Sequence, residues 1–193
     1  MFYRSFFLLV AGFSFWVGPA TAKDSPPLEK AGSEFLYSKL KLGDSREVIL
    51  QKLRDEGFVQ IYEERNNGLV KCTVRWNGFR YELTCRMVDG KLALCLIEGQ
   101  KGWHPSFFSE EVFPQWKNLR NRLIKSFGEK RKSTDFPEYS DVPLDDLGGK
   151  VTDSWELEDR LMVLAVRSFM VKDCCTEELL EYSCCTLLIQ PKK

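Results

Sequence analysis

Two turn dipeptides constrain the fold of this chain more than any other feature of its sequence. Asn77-Gly78 and Asp89-Gly90 are typical of two-residue type I′ turns, and each is flanked by alternating apolar and polar residues. Because such turns fix the strand register, Trp76 is predicted to face Phe79 across the first hairpin. The sequence therefore predicts a three-stranded antiparallel meander over residues 69–98.

The same register sorts the side chains of the meander onto two faces. The apolar face is predicted to hold Val70, Cys72, Val74, Trp76, Phe79, Tyr81, Leu83, Cys85, Met87, Leu92, Leu94 and Leu96. The opposite face is predicted to meet water and to hold Lys71, Thr73, Arg75, Arg80, Glu82, Thr84 and Arg86. Residues 58–64 are expected to add a fourth strand in front of this sheet.

A capping box precedes the meander and predicts a short helix. Asp44 is placed to cap a helix over residues 45–56, and Glu47 is placed to reach back to the cap. Gly57 follows as a C-terminal stop.

A second helix is predicted after the meander, opened by residues 109–111 and closed by Gly128. Its apolar residues recur at helical spacing: Val112, Trp116, Leu119, Leu123 and Phe127. A long polar connection follows at residues 129–150. Residues 151–157 and 161–169 are then predicted to form a hairpin, and a last strand is predicted at residues 185–190.

Helices and antiparallel strands in this order predict an α+β fold with two layers, the helices packed on one face of the sheet. Trp76 and Trp155 occupy similar places in the two halves, which suggests two diverged units of one helix and three strands. The expected division is a first unit over residues 35–100 and a second over residues 101–193, packed together as one domain.

The N-terminus carries the pattern of a secretory signal peptide at residues 1–22. One basic residue, Arg4, precedes an apolar run, and residues 20–22 are a small-x-small cleavage site. Removal of this segment leaves 171 of the 193 residues, beginning with a flexible lead-in at residues 23–34. We expect a periplasmic or secreted protein with no stable membrane insertion after cleavage, and the lack of an Asn-x-Ser/Thr sequon favours a bacterial envelope.

The predicted mature chain has 27 basic and 28 acidic residues, so no strong basic patch is indicated. Nucleic acid is therefore not an expected partner. No Gly-rich phosphate loop, nucleophile elbow or zinc-protease motif occurs in the sequence. We expect no cofactor, no metal and no catalytic residues.

Seven cysteines follow the predicted signal peptide, and an oxidising compartment favours pairing among them. The vicinal pairs Cys174-Cys175 and Cys184-Cys185 bracket a short loop, which favours a disulfide staple over a thiolate metal site, a redox pair or unpaired thiols. Cys72 and Cys85 share the apolar face as diagonal neighbours, so a bridge and two buried free thiols are both open. Cys95 is predicted to point to the other face.

Aromatic residues cluster between the two halves and form the candidate binding site. Trp103, Phe107 and Phe108 would make a protein-binding patch if they are exposed together, and they would fill the junction of the halves if they are buried. His104, the single histidine, lies beside them and is expected to have a surface or capping role.

Residues 40–57, with Gly43 before a capped helix that leads into a meander, resemble the opening of SmpA/OmlA-like envelope proteins. The apparent duplication also resembles the tandem modules of β-lactamase-inhibitor-type proteins. These resemblances imply a non-enzymatic role in binding another protein at the envelope. SmpA/OmlA-like proteins are typically lipoproteins, whereas this chain has no Cys at its cleavage site, which implies a soluble relative.

Together these features predict an exported, non-catalytic protein-binding or inhibitory module whose partner is another envelope or secreted protein. One alternative is an envelope hydrolase with a carboxylate-based site. Another is a structural or solute-binding periplasmic protein. A cleft that holds carboxylates with raised pKa values would distinguish an enzyme from a binding module.

Overall fold

The computed structural model describes residues 40–58, 60–128, 132–144 and 149–192. The predicted signal peptide and lead-in lie outside the described residues. The fold is mixed α+β and contains an eight-stranded antiparallel sheet. In chain order the elements are α1 (Arg46–Asp55), β1 (Ile61–Glu64), β2 (Leu69–Trp76), β3 (Phe79–Val88), β4 (Lys91–Gly99), α2 (Pro105–Phe107), α3 (Phe113–Phe127), β5 (Lys132–Ser133), β6 (Lys150–Glu156), β7 (Arg160–Lys172) and β8 (Leu179–Pro191).

The strand order across the sheet is β1-β2-β3-β4-β8-β7-β6-β5. The chain therefore forms two successive four-stranded meanders, and their last strands, β4 and β8, pair at the centre of the sheet. In that pairing Cys95 lies opposite Ile189, and Glu98 lies opposite Thr186.

The predicted meander is confirmed, and so are both of its turns. Trp76 pairs with Phe79 across the first hairpin. Asn77 has a φ of 47° and Asp89 a φ of 51°, which is the left-handed backbone that a type I′ turn requires. Strand β1 supplies the predicted fourth strand and pairs with β2.

The predicted face assignment fails in the second half of β4. Met87 pairs with Leu92 but Arg86 pairs with Leu94, so Ala93 is an extra residue in the ladder. This bulge reverses the alternation. Cys95 and Ile97 are consequently buried on the apolar face, whereas Leu94 and Leu96, predicted to lie there, are half-buried on the other.

The first predicted helix is present as α1, with a different cap. Ser45, rather than Asp44, is the N-cap, and its hydroxyl accepts the backbone N–H of Val48 at 3.4 Å. Asp44 instead accepts the backbone N–H of Lys41 at 2.7 Å and the ammonium group of Lys52 at 2.8 Å. The carboxylate therefore ties the approach segment to the helix.

The second predicted helix begins earlier than expected. Pro105, whose fixed φ suits a helix start, opens α2, and a π-helical turn over residues 108–112 leads into α3. Gly128 ends α3 with a φ of 69°, as its position in the sequence predicted.

A single hydrophobic cluster joins the helices to alternate residues of the strands. The helices contribute residues that recur at helical spacing: Ile49, Leu50, Leu53, Trp116, Leu119 and Leu123. Buried polar contacts fix their orientation: Trp116 donates its Nε1–H to Thr152 Oγ1 at 2.8 Å, and Tyr81 donates its hydroxyl proton to the Gln115 carbonyl at 3.1 Å. Helix α3 is thereby attached to strands of both meanders.

Candidate functional site

Strands β7 and β8 extend beyond the rest of the sheet. Their pairing runs from Arg160, which lies opposite Pro191, to Lys172, which lies opposite Leu179. By contrast, the pairing of β6 with β7 stops at Val166, and the pairing of β4 with β8 stops at Thr186. We call the projecting residues 167–184 the hairpin arm. At about 3.3 Å per residue, the strands of the arm run roughly 16 Å past the last regular pairs that β7 and β8 make with β6 and β4.

A row of four residues holds the base of the arm. Gly102 bridges Ser183, Ser183 pairs with Ser168, and Ser168 bridges Leu144 on the far side. Gly102 and Ser183 exchange two backbone hydrogen bonds, of 2.8 and 3.2 Å. The hydroxyl groups of Ser168 and Ser183 lie 3.0 Å apart inside the row. The segments on either side of the arm are thus fixed at its base.

One face of the arm exposes apolar side chains. Leu144, Met170 and Leu179 are 57%, 39% and 63% exposed, and the strand register places them on the same face as Ser168 and Ser183. Two charged residues share this face, with Glu181 opposite Met170 and Lys172 opposite Leu179. Exposed leucine and methionine side chains that lie near one another are typical of protein-binding surfaces.

The opposite face of the arm combines aromatic rings with positive charge. Phe169 and Tyr182 stack with their ring centroids 6.4 Å apart. Lys101 and Arg167 each place a cationic group 5.7 Å from the Phe169 ring. The mostly buried carboxylate of Glu98 lies 3.5 Å from Lys101 and 3.7 Å from Arg167.

The structure separates the four residues of the predicted aromatic patch. Trp103 directly follows Gly102 at the arm base and is 54% exposed, whereas Phe108 is only 6% exposed. Phe107 is half-buried against the hydrophobic cluster. Of the three aromatic residues, Trp103 is thus the one available for binding, and Phe107 and Phe108 fill the junction.

His104 has the capping role that was considered for it. Its Nδ1 accepts the backbone N–H of Ser106 at 3.2 Å, which caps α2, and it lies 2.8 Å from the Ser106 hydroxyl. The imidazole also meets the Trp103 ring edge to face, with the centroids 5.8 Å apart. Trp103 and His104 therefore form an exposed aromatic pair at this end of the junction.

Phe108 is enclosed by aromatic neighbours. Its ring centroid lies 4.9 Å from that of Phe136 and 5.3 Å from that of Tyr139. Burial and a hydrogen bond with Glu181 of the arm raise the pKa of the Tyr139 hydroxyl. Tyr139 thus connects the junction aromatics with the hairpin arm.

All seven cysteines are free in this structure, and the predicted staple is not formed. Cys174 and Cys175 are exposed at the tip of the arm, with their sulfur atoms 3.6 Å apart. Cys184 and Cys185 are buried near its base, where burial raises the pKa of the Cys184 thiol to about 12. The length of the arm, roughly 16 Å, separates the two vicinal pairs.

The cysteines of the first meander are arranged differently from the prediction. Cys72 lies opposite Leu83, which leaves Cys85 diagonal to it as expected, and no bond joins the two. The bulge at Ala93 instead brings Cys95 directly opposite Cys85, with the sulfur atoms 3.9 Å apart.

An open groove of about 490 Å³ lies beside β1. It is lined by Tyr62, Glu63, Glu64, Asn66 and Asn67. A hydrogen bond from Lys71 lowers the pKa of Glu64, whereas a general acid requires a raised pKa. In the described part of the chain, no group of three or more histidine, cysteine or acidic side chains is arranged to hold a metal ion.

No protein-family model matches the chain, and no match is found among curated proteins or among solved structures. None of the helices in the described residues is both long and apolar enough to cross a membrane.

The hairpin arm is not predicted by the sequence pattern. Its strands were predicted to cover residues 161–169 and 185–190, and the segment between them was interpreted as a stapled loop. Apolar residues do continue at intervals through Val171 and from Leu179 onward, and this is the signal that could have extended both strands.

Proposed function

We propose that this chain is an exported, non-catalytic protein-binding or inhibitory module of the bacterial envelope, and that the hairpin arm with Trp103 is its binding surface. The observation that carries the proposal is the projection of the arm beyond the sheet with Leu144, Met170 and Leu179 exposed along one face. Burying one such side chain at an interface contributes about 1.5–3 kcal/mol.

The chemistry of this surface suits a folded protein as the partner. Aromatic and methionine side chains are enriched in the cores of protein interfaces, where a few anchors supply most of the binding free energy. Trp103 at the arm base and Met170 on the arm are of these types. Lys101 and Arg167 on the opposite face of the arm favour a partner with acidic groups at the rim of the interface.

Export is supported by the signal-peptide pattern of residues 1–22, so the functional chain begins at Lys23. The partner is then another envelope or secreted protein.

The architecture that accompanies this function is two diverged units with their helices layered on one face of the sheet. Each half of the chain has a helix followed by a four-stranded meander, and the two meanders meet through β4 and β8. Trp76 and Trp155 lie near the ends of β2 and β6, the second strand of each meander. These equivalent positions support a duplication and the implied resemblance to β-lactamase-inhibitor-type modules.

The test is a quantitative capture experiment with residues 23–193 and surface variants. Wild-type protein is immobilised, exposed to envelope extract of the host, and the retained proteins are quantified by mass spectrometry. The test variants are Leu179→Glu and Met170→Glu. Val88→Glu is the matched control, because Val88 is 52% exposed but lies at the β3–β4 turn, outside the arm.

We expect a partner that wild type and Val88→Glu retain equally and that both arm variants lose by at least about tenfold, since each places a charge in the apolar interface. Titration calorimetry with the purified partner then gives the dissociation constants. A partner that binds wild type and arm variants with equal affinity would exclude the arm as the binding surface.

A further inference from the structure

The bulge at Ala93 gives two core cysteines a relationship that simple alternation would not allow. Without the extra residue, Cys95 would lie on the outer face of the sheet. With it, Cys95 is directly opposite Cys85 in the β3–β4 ladder, and both side chains are fully buried on the apolar face. Their sulfur atoms approach to 3.9 Å.

The strand pairing gives Cys85 and Cys95 a backbone spacing that a disulfide can span. Directly opposed residues of antiparallel strands have Cα atoms about 4.5–5.5 Å apart, within the range of about 4.4–6.8 Å that disulfides span. The sulfur atoms lie 3.9 Å apart, so side-chain rotation together with a small closer approach of the two strands would bring them to the S–S bond length of about 2 Å.

The other cysteines fit this chemistry less well. Adjacent residues such as Cys174 and Cys175 have Cα atoms only about 3.8 Å apart, below the usual disulfide range, so a bond between them is strained. Cys72 lies opposite Leu83 and is diagonal to Cys85. Only the Cys85–Cys95 pair, among the described residues, combines direct opposition with close sulfur atoms.

We propose that Cys85 and Cys95 form the structural disulfide of the mature protein. The proposal rests on the proposed function in one respect, because export supplies the oxidising compartment. The bond joins β3 to β4 across the bulge and fixes the face on which β4 presents its side chains.

The bond forms by thiol–disulfide exchange with a small-molecule disulfide such as oxidised glutathione or with an exported dithiol oxidase. The thiolate of Cys95 attacks the oxidant disulfide and releases one thiol. The thiolate of Cys85 then attacks the Cys95 sulfur of the mixed disulfide and releases the second thiol. Two cysteine thiols thus lose two protons and two electrons, and one oxidant disulfide becomes two thiols.

Burial of the two thiols determines the stage of folding at which the disulfide forms. Neither thiol reaches solvent in the folded chain, and the hydrogen bond with Cys95 together with burial raises the pKa of Cys85. The reactive thiolate is therefore scarce after folding, and the bond forms before the core closes. The folded, reduced protein should oxidise much more slowly than the unfolded chain.

The experiment refolds residues 23–193 in a mixture of reduced and oxidised glutathione, alkylates the remaining thiols, and identifies disulfide-linked peptides by mass spectrometry. We expect a dominant Cys85–Cys95 link. Reduction should lower the Tm by about 5–10 °C. The same drop should persist in Cys72→Ala, the matched core control, and should disappear in Cys85→Ala and Cys95→Ala.

Recovery of both cysteines in alkylated form, or of a dominant Cys72–Cys85 link, would overturn the proposal. Export is examined separately with the full chain in a bacterial host, by N-terminal sequencing of the envelope fraction. An uncleaved N-terminus contradicts export but leaves the refolding result standing. A chain cleaved before Lys23 with both thiols free contradicts the disulfide alone.

Discussion

Arg120 of α3 donates its Nε–H to the carboxylate of Asp153 on β6, at 3.1 Å. The Asp153 side chain is completely buried, and the guanidinium group of Arg120 also lies 4.8 Å from the Trp116 ring centroid and bonds Ser133 at 2.7 Å. Arg120 therefore connects α3 with the edge of the second meander and with the hydrophobic cluster.

Replacement of Arg120 by Ala should destabilise the fold strongly. Removing the positive partner of a buried ion pair costs about 3–5 kcal/mol, because the remaining carboxylate stays in a poorly solvated site. Urea unfolding monitored by circular dichroism measures the loss. Arg54→Ala, at an exposed position of α1, is the control and should change the free energy of unfolding by less than about 0.5 kcal/mol.

A double variant separates charge from packing at this pair. Arg120→Met combined with Asp153→Leu removes both charges and keeps apolar volume, so it should recover much of the stability that Arg120→Ala loses. A double variant as unstable as the single one would mean that the hydrogen bonds and not the buried charge dominate.

Gly102 is predicted to be intolerant of any side chain, although its backbone φ is not unusual. A Cβ atom at this position would overlap the Phe107 ring. Gly102→Ala should therefore destabilise the protein by about 1–3 kcal/mol through overpacking. The Tm from differential scanning fluorimetry provides the measurement.

The Phe107 ring allows this clash to be tested directly. In a Phe107→Ala background, the additional cost of Gly102→Ala should fall by more than half, because the ring that obstructs the new methyl group is gone. Equal costs in the two backgrounds would instead implicate the backbone bridge between Gly102 and Ser183.

Truncation to Ala should lower the free energy of unfolding strongly at Phe108 and hardly at all at Trp103. Phe108→Ala leaves a cavity among aromatic residues and should cost about 3–5 kcal/mol in the free energy of unfolding. Trp103→Ala, at an exposed site, should change it by less than about 0.5 kcal/mol. Chemical denaturation of both variants measures the difference, and a large loss in Trp103→Ala would contradict its role as a surface residue.

The first meander was predictable because its turns are encoded locally. Asn77-Gly78 and Asp89-Gly90 each specify a tight turn with positive φ, and the register of β2, β3 and the start of β4 follows from them. Cys95 was assigned to the wrong face because one extra residue at Ala93 reverses the alternation. A bulge of this kind depends on packing that no local pattern reveals.

The candidate binding surface was only partly predictable. Trp103 and Phe108 are predicted as part of one aromatic cluster between the two halves, but which of them is buried depends on the contacts that Phe136 and Tyr139, distant in sequence, make with Phe108. The hairpin arm was missed because its vicinal cysteines suggested a closed loop. The conformation of this segment depends on the pairing of two strands of thirteen residues each, and the cysteines do not determine that pairing.

The acidic groove beside β1 gives a prediction that depends on pH. The ammonium group of Lys71 bonds the Glu64 carboxylate at 3.0 Å, and Asn67 donates to the same carboxylate at 3.1 Å. The Lys71 bond is the larger cause of the lowered pKa of Glu64, and the Asn67 bond is the second. A carboxylate whose folded pKa is lowered contributes stability above its unfolded pKa and loses it as the pH falls through the folded value.

Lys71→Gln should therefore raise the pKa of Glu64 toward its ordinary value of 4.5. Asn67→Ala should raise it by less, and Lys91→Gln, at an exposed position at the start of β4, should leave it unchanged. Carboxyl-carbon NMR titration of the three variants measures these shifts. In Lys71→Gln the free energy of unfolding should also fall less steeply as the pH drops below about 4.5, because the folded and unfolded pKa values of Glu64 are then closer together. An unmoved Glu64 pKa in Lys71→Gln would show that the ion pair does not persist in solution.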